Sequence, residues 1–377
     1  MAVLLAAASC ASGSRVGAGE EGGGAGAVPR AAAGPYAVGV RTVRLPDTVA
    51  EVWYPVGGGA AGGAGGAGTA GASGGGAAAA SGGGAVGGRA TYDIRDWLPP
   101  ETAKGVTPGR FTLATDAYRD LPVAGHGPYP LVLFAHGLYS FPDQSTGLTT
   151  WLASWGYVVA APDLPVHDLA AYFRYTARGL PLPTGPSDEQ VLAQTEQFMR
   201  AQASTPGSPF WGRVARGPVG VVGHSQGGID AMAFSSSGTS GSADRVATYI
   251  ALAAGFTGAH PPLPAVPSLY MAGALDHDIP PPLVESVYAA APQPKRLVVL
   301  PAAGHLAFTD LCLINPGHGG LGAIAPQIGM TLSRGAPFTA AALDGCGPGF
   351  APPTDSLARV RAAVLAQLRA WLPAPAT

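Results

Sequence analysis

The chain has 377 residues, enough for one large α/β domain or two ordinary ones; 47% are hydrophobic, 12% are charged, and the net charge is −2. There is no basic block to hold nucleic acid and no acidic block to act as a solvating tail. Gly and Pro number 57 and 37, well above ordinary usage, but much of the glycine sits in one stretch and need not describe the folded part.

Residues Met1–Cys10 form a short apolar run with small residues ahead of a cysteine. This resembles the end of a bacterial lipoprotein signal, in which Cys10 would be lipidated and could anchor the protein to a membrane. It departs from that pattern in lacking a positive n-region and in having Ala7 three residues before the cysteine. No later segment has 18 or more uninterrupted apolar residues. Residues 1–34 are read as a signal-like segment and a flexible Gly/Ala/Ser tether, and 35–377 as one catalytic domain of an exported protein. Cys312 and Cys346 lie in loop-like sequence and are expected to form a disulfide in that setting.

Residues 38–45 and 49–55 read as two strands around Pro46-Asp47, a hairpin signal. Residues 57–88 are almost wholly Gly, Ala and Ser, too poor in apolar surface to offset the entropy of ordering. They are read as a disordered insertion. From residue 129 onwards strands and helices alternate. Strands are expected at Leu131–Ala135, Tyr157–Ala161, Val219–Val222, Tyr249–Ala254, Ser268–Ala272 and Arg296–Leu300. Helices are expected at Ser145–Trp155, Ser187–Ala203, Gln226–Phe234 and Asp355–Leu372. This alternation predicts a mainly parallel sheet covered by helices on both faces. Residues 164–215 are read as a cap-like insertion whose aromatic residues serve either an apolar pocket or ordinary packing.

Gly223-His224-Ser225-Gln226-Gly227 fits G-x-S-x-G between a strand and a helix. The chemistry needs that shape: a sharp strained turn lifts the serine oxygen clear of the sheet, and small flanking residues let strand and helix approach. Ser225 is therefore the candidate nucleophile. Its base should follow the acid along the chain. His305, at the end of a strand and a small-residue loop, is favoured over His277. The acid comes from Asp276 or Asp278, and the distance to the preceding strand and to Pro280 favours Asp276. An oxyanion also needs backbone N–H donors. These are expected from Gln226 and, after the strand ending Phe134-Ala135-His136-Gly137, from Leu138. His136 is read as structural.

With those residues in hand, the chain resembles bacterial enzymes of the platelet-activating-factor acetylhydrolase and dienelactone-hydrolase-like group, within the α/β-hydrolase superfamily. The resemblance spans about residues 35–370. It rests on Val49–Pro55, Phe134–Leu138, Leu152–Asp163, Gly223–Gly228 and Gly304–Asp310. It implies an α/β-hydrolase fold with an N-terminal antiparallel hairpin. It also implies a Ser–Asp–His hydrolase of carboxylic esters, with short to medium acyl or lipid-like substrates and neither metal nor organic cofactor. One departure is informative. Mammalian acetylhydrolases carry the acid after the strand that follows the nucleophile helix, whereas here that strand ends Ala253-Ala254-Gly255 without a carboxylate. The acid must come one strand later, as in dienelactone and cutinase-like polyester hydrolases. Polyester cleavage and amide hydrolysis on the same triad are the alternative activities, and a non-catalytic cell-surface binding protein is the alternative from another class.

Overall fold

A strand buried on both faces has no polar side to present, and its sequence becomes a continuous apolar run. Leu131–Ala135, Val158–Pro162, Val219–His224 and Ser268–Gly273 are such runs, buried at every position. The computed structural model describes residues 33–57, 86–236, 245–316, 320–328 and 343–375. The signal-like segment with Cys10 lies outside them, as does most of the Gly/Ala-rich 57–88 stretch.

The strands are β1 (Ala37–Arg44), β2 (Val49–Val56), β3 (Arg89–Asp93), β4 (Thr112–Arg119), β5 (Leu131–Ala135), β6 (Val158–Pro162), β7 (Val219–His224), β8 (Val246–Leu252), β9 (Ser268–Gly273) and β10 (Lys295–Leu300). They form one sheet in the order β10-β9-β8-β7-β5-β6-β2-β1-β4-β3. From β10 to β6 all neighbours are parallel. The expected hairpin is present: β1 and β2 pair antiparallel with Arg44 opposite Val49, and β2 joins the parallel strands through an antiparallel pairing with β6. Strands β3 and β4, which extend the sheet beyond the hairpin, were not anticipated. Both alternate buried and exposed residues and are short or half-exposed.

The helices are α1 (Pro100–Ala103), α2 (Thr146–Ser154), α3 (Leu169–Arg174), α4 (Asp188–Ser204), α5 (Gln226–Ser236), α6 (Pro281–Ala290) and α7 (Pro353–Trp371). Successive residues of a strand point to opposite faces, and β5 divides accordingly. Val132 and Phe134 join Leu148 and Leu152 of α2 and Val360, Val364 and Leu368 of α7 on one face. Leu131, Leu133 and Ala135 join Val191, Leu192 and Met199 of α4, Ala231 and Met232 of α5, and Val284 of α6 on the other. Helix α4 starts at a capping box, in which the Ser187 hydroxyl accepts the Gln190 N–H and the Gln190 side chain accepts the Ser187 N–H. Within 164–215, α4 is thus sheet cover. Phe198 packs against the same core and Phe210 is buried beside Tyr54.

The chain runs from β5 outward to β6 and then back to β7 on the far side of β5. That reversal opens a crevice at the C-terminal ends of β5 and β7, where open α/β sheets hold their ligands.

Because Met199 is fully buried against the sheet, Met199→Ala should lower the unfolding free energy by about 2–5 kcal/mol. Chemical denaturation checks this. A loss near zero would make α4 a peripheral cap.

Candidate active site

Ser225 sits between β7 and α5 with φ +55°. An ordinary residue reaches this left-handed region only under constraint, and three glycines supply the room. A Cβ on Gly223 would lie 1.9 Å from the Gly227 carbonyl oxygen, one on Gly227 would lie 2.2 Å from that of Ala135, and one on Gly228 would meet the Ala254 Cβ at 2.5 Å. The strand, the helix and the loop after β5 are in backbone contact. The Ser225 N–H donates to the Leu252 carbonyl at 2.8 Å, and the Ser225 carbonyl accepts the N–H groups of Gly228 and Ile229. The serine is therefore held at the crest of the β7–α5 turn.

The loop after β5 lies against this crest. A Cβ on Gly137 would be 3.4 Å from the Ser225 Cβ. Leu138 follows and is partly exposed. Among the described residues, no protein acceptor takes the backbone N–H of Leu138 or of Gln226. The Gly137–Leu138 peptide is held by its carbonyl, which accepts from Ser140 N–H at 3.1 Å and from the His136 ring Nδ1 at 2.8 Å. The other ring nitrogen, Nε2, accepts the Leu164 N–H at 3.0 Å, so the neutral His136 carries its proton on Nδ1. It acts structurally, as its place in the loop predicts. The Gln144 side chain takes the Gly137 N–H at 3.0 Å.

Asp276 and His305 come from the loops after β9 and β10. His305 Nδ1 is 2.9 Å from Asp276 Oδ2, and both side chains are buried. The other oxygen, Asp276 Oδ1, accepts the N–H groups of Asp278 at 3.0 Å and Ile279 at 2.7 Å. Of the two candidate acids, Asp276 pairs with the histidine, while Asp278 is exposed and gives its backbone N–H to Asp276. Burial works against an imidazolium at His305. The hydrogen bond and charge of Asp276, reinforced by Asp278 and Asp344, outweigh it and hold the pKa above the ordinary histidine value. His277 is exposed and pairs with Asp344 rather than with the triad candidates.

His224, next to the serine, ties the crest to the base. Its Nε2–H donates to the His305 carbonyl at 3.0 Å, and the two rings lie 4.8 Å apart between centroids. Burial, with His305 beside it, drives the His224 pKa well below the ordinary value, so it is neutral. Two acids unforeseen in the sequence also bind the loops together. Asp310 gives its backbone N–H to the Gln144 carbonyl at 2.8 Å and accepts the Gly147 N–H at 2.6 Å. Asp344 accepts the His277 N–H at 2.7 Å. Asp310 closes the Gly304–Asp310 motif, a signal that was available; Asp344 had none. The expected disulfide between Cys312 and Cys346 is present.

Behind the crest, the Gln226 side chain donates to Asp230 Oδ1 at 2.9 Å. Burial and the neighbouring Asp188 push the Asp230 pKa up to about 8. Asp188 in turn lies 2.5 Å from His167 Nδ1, and the His167 carbonyl accepts the Tyr139 N–H at 2.7 Å.

A strained serine on a strand–turn–helix at the switch point of a parallel sheet decides the fold. It is the α/β-hydrolase fold. Residues 107–197 match the family described as platelet-activating factor acetylhydrolase, isoform II. A solved ferulic acid esterase from Streptomyces cinnamoneus is similar over 93% of this chain and 92% of its own, with a TM-score of 0.54 and 20% identity. Within the α/β-hydrolases the chain resembles the acetylhydrolase-like group, and both comparisons are with ester hydrolases. The carboxylate paired with His305 follows β9 rather than β8, whose end passes through Ala253 at φ +48° into Ala254.

Gly227→Ala should abolish activity, because its Cβ would sit on the Ala135 carbonyl and push the loop after β5 away from the crest. Hydrolysis of p-nitrophenyl butyrate by the folded variant checks this; near-wild-type rates would mean that the close approach is dispensable.

Proposed function

We propose that this α/β-hydrolase cleaves carboxylic esters through an acyl-enzyme on Ser225, with His305 as base, Asp276 as its orienting acid, and the N–H groups of Leu138 and Gln226 as the oxyanion hole. The observation that carries the reading is the buried 2.9 Å His305–Asp276 contact, tied through His224 to a neighbouring serine at φ +55°. With Nδ1–H donated to Asp276, the His305 Nε2 carries the lone pair. It takes the Ser225 proton as Oγ attacks the ester carbonyl carbon, then delivers that proton to the departing alkoxide. Water repeats the sequence on the acyl-serine and releases the acid. The Leu138 and Gln226 N–H groups, free of acceptors among the described residues, receive the negative charge that develops on the carbonyl oxygen. Removing one such donor costs about 100- to 1000-fold in rate.

Short to medium acyl or lipid-like esters suit this reading, by likeness to the acetylhydrolase family. A second reading, esters of aromatic acids, is favoured by one observation. Tyr139 follows Leu138 directly and packs against Tyr172 at 5.1 Å, which puts an aromatic pair beside the oxyanion loop. The same proposal places the enzyme in an oxidising, exported setting, which the Cys312–Cys346 disulfide fits; Cys10 would be its lipid attachment point.

Ser225→Ala should reduce hydrolysis of p-nitrophenyl acetate and butyrate to background; equal rates would refute the assignment. Rates with p-nitrophenyl butyrate and methyl ferulate separate the two substrate readings. Asp276→Asn should cut kcat by about 10⁴-fold, as when a triad acid is neutralised, and Asp278→Asn by far less; the reverse order would exchange their roles.

The pH profile follows from the same pair. His305 must be neutral to accept the serine proton, and its pKa is raised. The rate should therefore fall, as pH drops, through a value above the ordinary histidine range. Without the Asp276 charge, only the weaker pull of Asp278 and Asp344 opposes burial, and the residual activity of Asp276→Asn should hold to lower pH. A limb that moves upward would contradict this.

A further inference from the structure

The acid and the base sit on separate loops, and each loop has its neighbouring residue held by the same third residue. The N–H of His277, adjacent to Asp276, donates to Asp344 Oδ2 at 2.7 Å. The N–H of Leu306, adjacent to His305, donates to the Asp344 backbone carbonyl at 2.7 Å. We propose that Asp344 is a positioning residue that fixes the Asp276 loop against the His305 loop, and so sets the acid–base geometry; this rests on the triad assignment above.

The turn that carries Asp344 has little freedom of its own. Cys346 N–H closes it onto the Leu343 carbonyl at 2.9 Å. Gly345 adopts φ +102° because it presses on the base loop, where a Cβ would lie 2.9 Å from the Ala307 nitrogen. Gly304, just before the base, is equally closed, since its Cβ would lie 2.4 Å from Asp344 Oδ1. Cys346 is bonded to Cys312, seven residues downstream of His305, and the Ala351 N–H reaches the Ala302 carbonyl at 2.7 Å. The segment is thus stapled to the base loop on both sides of His305, and the Asp344 side chain reaches across to the acid loop.

A carboxylate is suited to this task. Asp344 is buried, and a buried carboxylate is costly unless its oxygens find donors. Oδ2 takes the His277 N–H and Oδ1 faces His277 Nδ1 at 3.2 Å. An asparagine has one acceptor oxygen, so it can take the His277 N–H but not also a proton carried on Nδ1, and it brings no charge. Asp344 also adds charge to the surroundings of His305. The ionisable groups acting on that ring are Asp276, Asp278 and Asp344, with His224 neutral beside it. Asp344 does not touch the reacting atoms. Its effect comes through placement, and a misplacement of about 1 Å in a catalytic group costs on the order of 100-fold.

The test compares full-length wild type, Asp344→Asn and Ser225→Ala on p-nitrophenyl butyrate, with unfolding midpoints measured alongside. Folded Asp344→Asn should lose roughly 10- to 100-fold in kcat with KM little changed, and the acid limb of kcat/KM should move to lower pH. Wild-type kcat with an unmoved limb, or a loss confined to thermal stability, would overturn the proposal. If Asp344→Asn does not fold, reduction of the Cys312–Cys346 disulfide in wild-type protein probes the same staple. A fall in kcat at constant KM, reversed on reoxidation, supports the proposal; unchanged kcat overturns it. Full activity in Ser225→Ala would instead sink the triad assignment. Fluorophosphonate labelling of wild type but not of Ser225→Ala, together with wild-type kcat in Asp344→Asn, would leave that assignment standing and remove only Asp344's part.

Discussion

The left-handed backbone of Ser225 is the constraint on which the site depends. A non-glycine residue held there costs on the order of 1–3 kcal/mol and persists only where the surroundings over-determine it. Here they do. The residues before and after it belong to a strand buried at every position and to a helix packed on the sheet. Gly223 and Gly227 bring strand, helix and the loop after β5 into backbone contact that no side chain could enter. The strain therefore serves two ends at once. It holds the serine at the crest between strand and helix, and it seats Gly137 against that crest, where its Cβ would lie 3.4 Å from the Ser225 Cβ.

The parts of this arrangement that were legible in the sequence are those dictated by short-range geometry. Gly223–Gly228 states the turn directly, and the apolar runs of β5, β7 and β9 mark strands with no exposed face. Chain order and distance from strand ends favour His305 and, of the two acids in one loop, Asp276 over Asp278; the structure puts Asp276 against His305, and burial and the direction of two backbone N–H groups separate it from Asp278. Strands β3 and β4 were missed for the opposite reason to the success with β5. They lie toward the edge of the sheet with alternating exposure, and a half-exposed strand next to a Gly/Ala-rich stretch carries a weak signal. For the aromatic residues of 164–215 the sequence left pocket and packing open, and for two of them the structure shows packing: Phe198 lies in the helix that covers the sheet and Phe210 is buried beside Tyr54.

The acid–base pair illustrates how opposing electrostatic effects are balanced. Burial alone would strip His305 of its proton. Asp276 answers with two backbone N–H bonds on one oxygen, which leaves the other to face the ring. For His305 the attraction of Asp276 exceeds the cost of burial. In the proposed mechanism, an imidazolium formed as the serine loses its proton would be stabilised where it arises. His224 is under the same burial without an acid partner and stays neutral. It can lend a donor to the His305 carbonyl without adding a second positive charge beside the base.

Strand ends set the site to within a few ångströms, but an acyl transfer requires tighter placement than a sheet alone provides. The additional precision comes from bonds between loops. Asp310 joins the base loop to the segment that follows the oxyanion loop, His224 joins the crest to the base, and Asp344 joins base to acid. In each tie a buried polar side chain meets the backbone of a different loop, and in two of them a carboxylate accepts a peptide N–H. Such contacts are insensitive to the side chain on the receiving loop, which explains why they leave no residue pattern to read. Buried acids elsewhere serve regular elements instead: Glu51 of β2 pairs with Arg119 of β4, and Glu196 of α4 pairs with Arg200 and Arg245. Asp276, Asp310 and Asp344 are the ones that hold loops in one register.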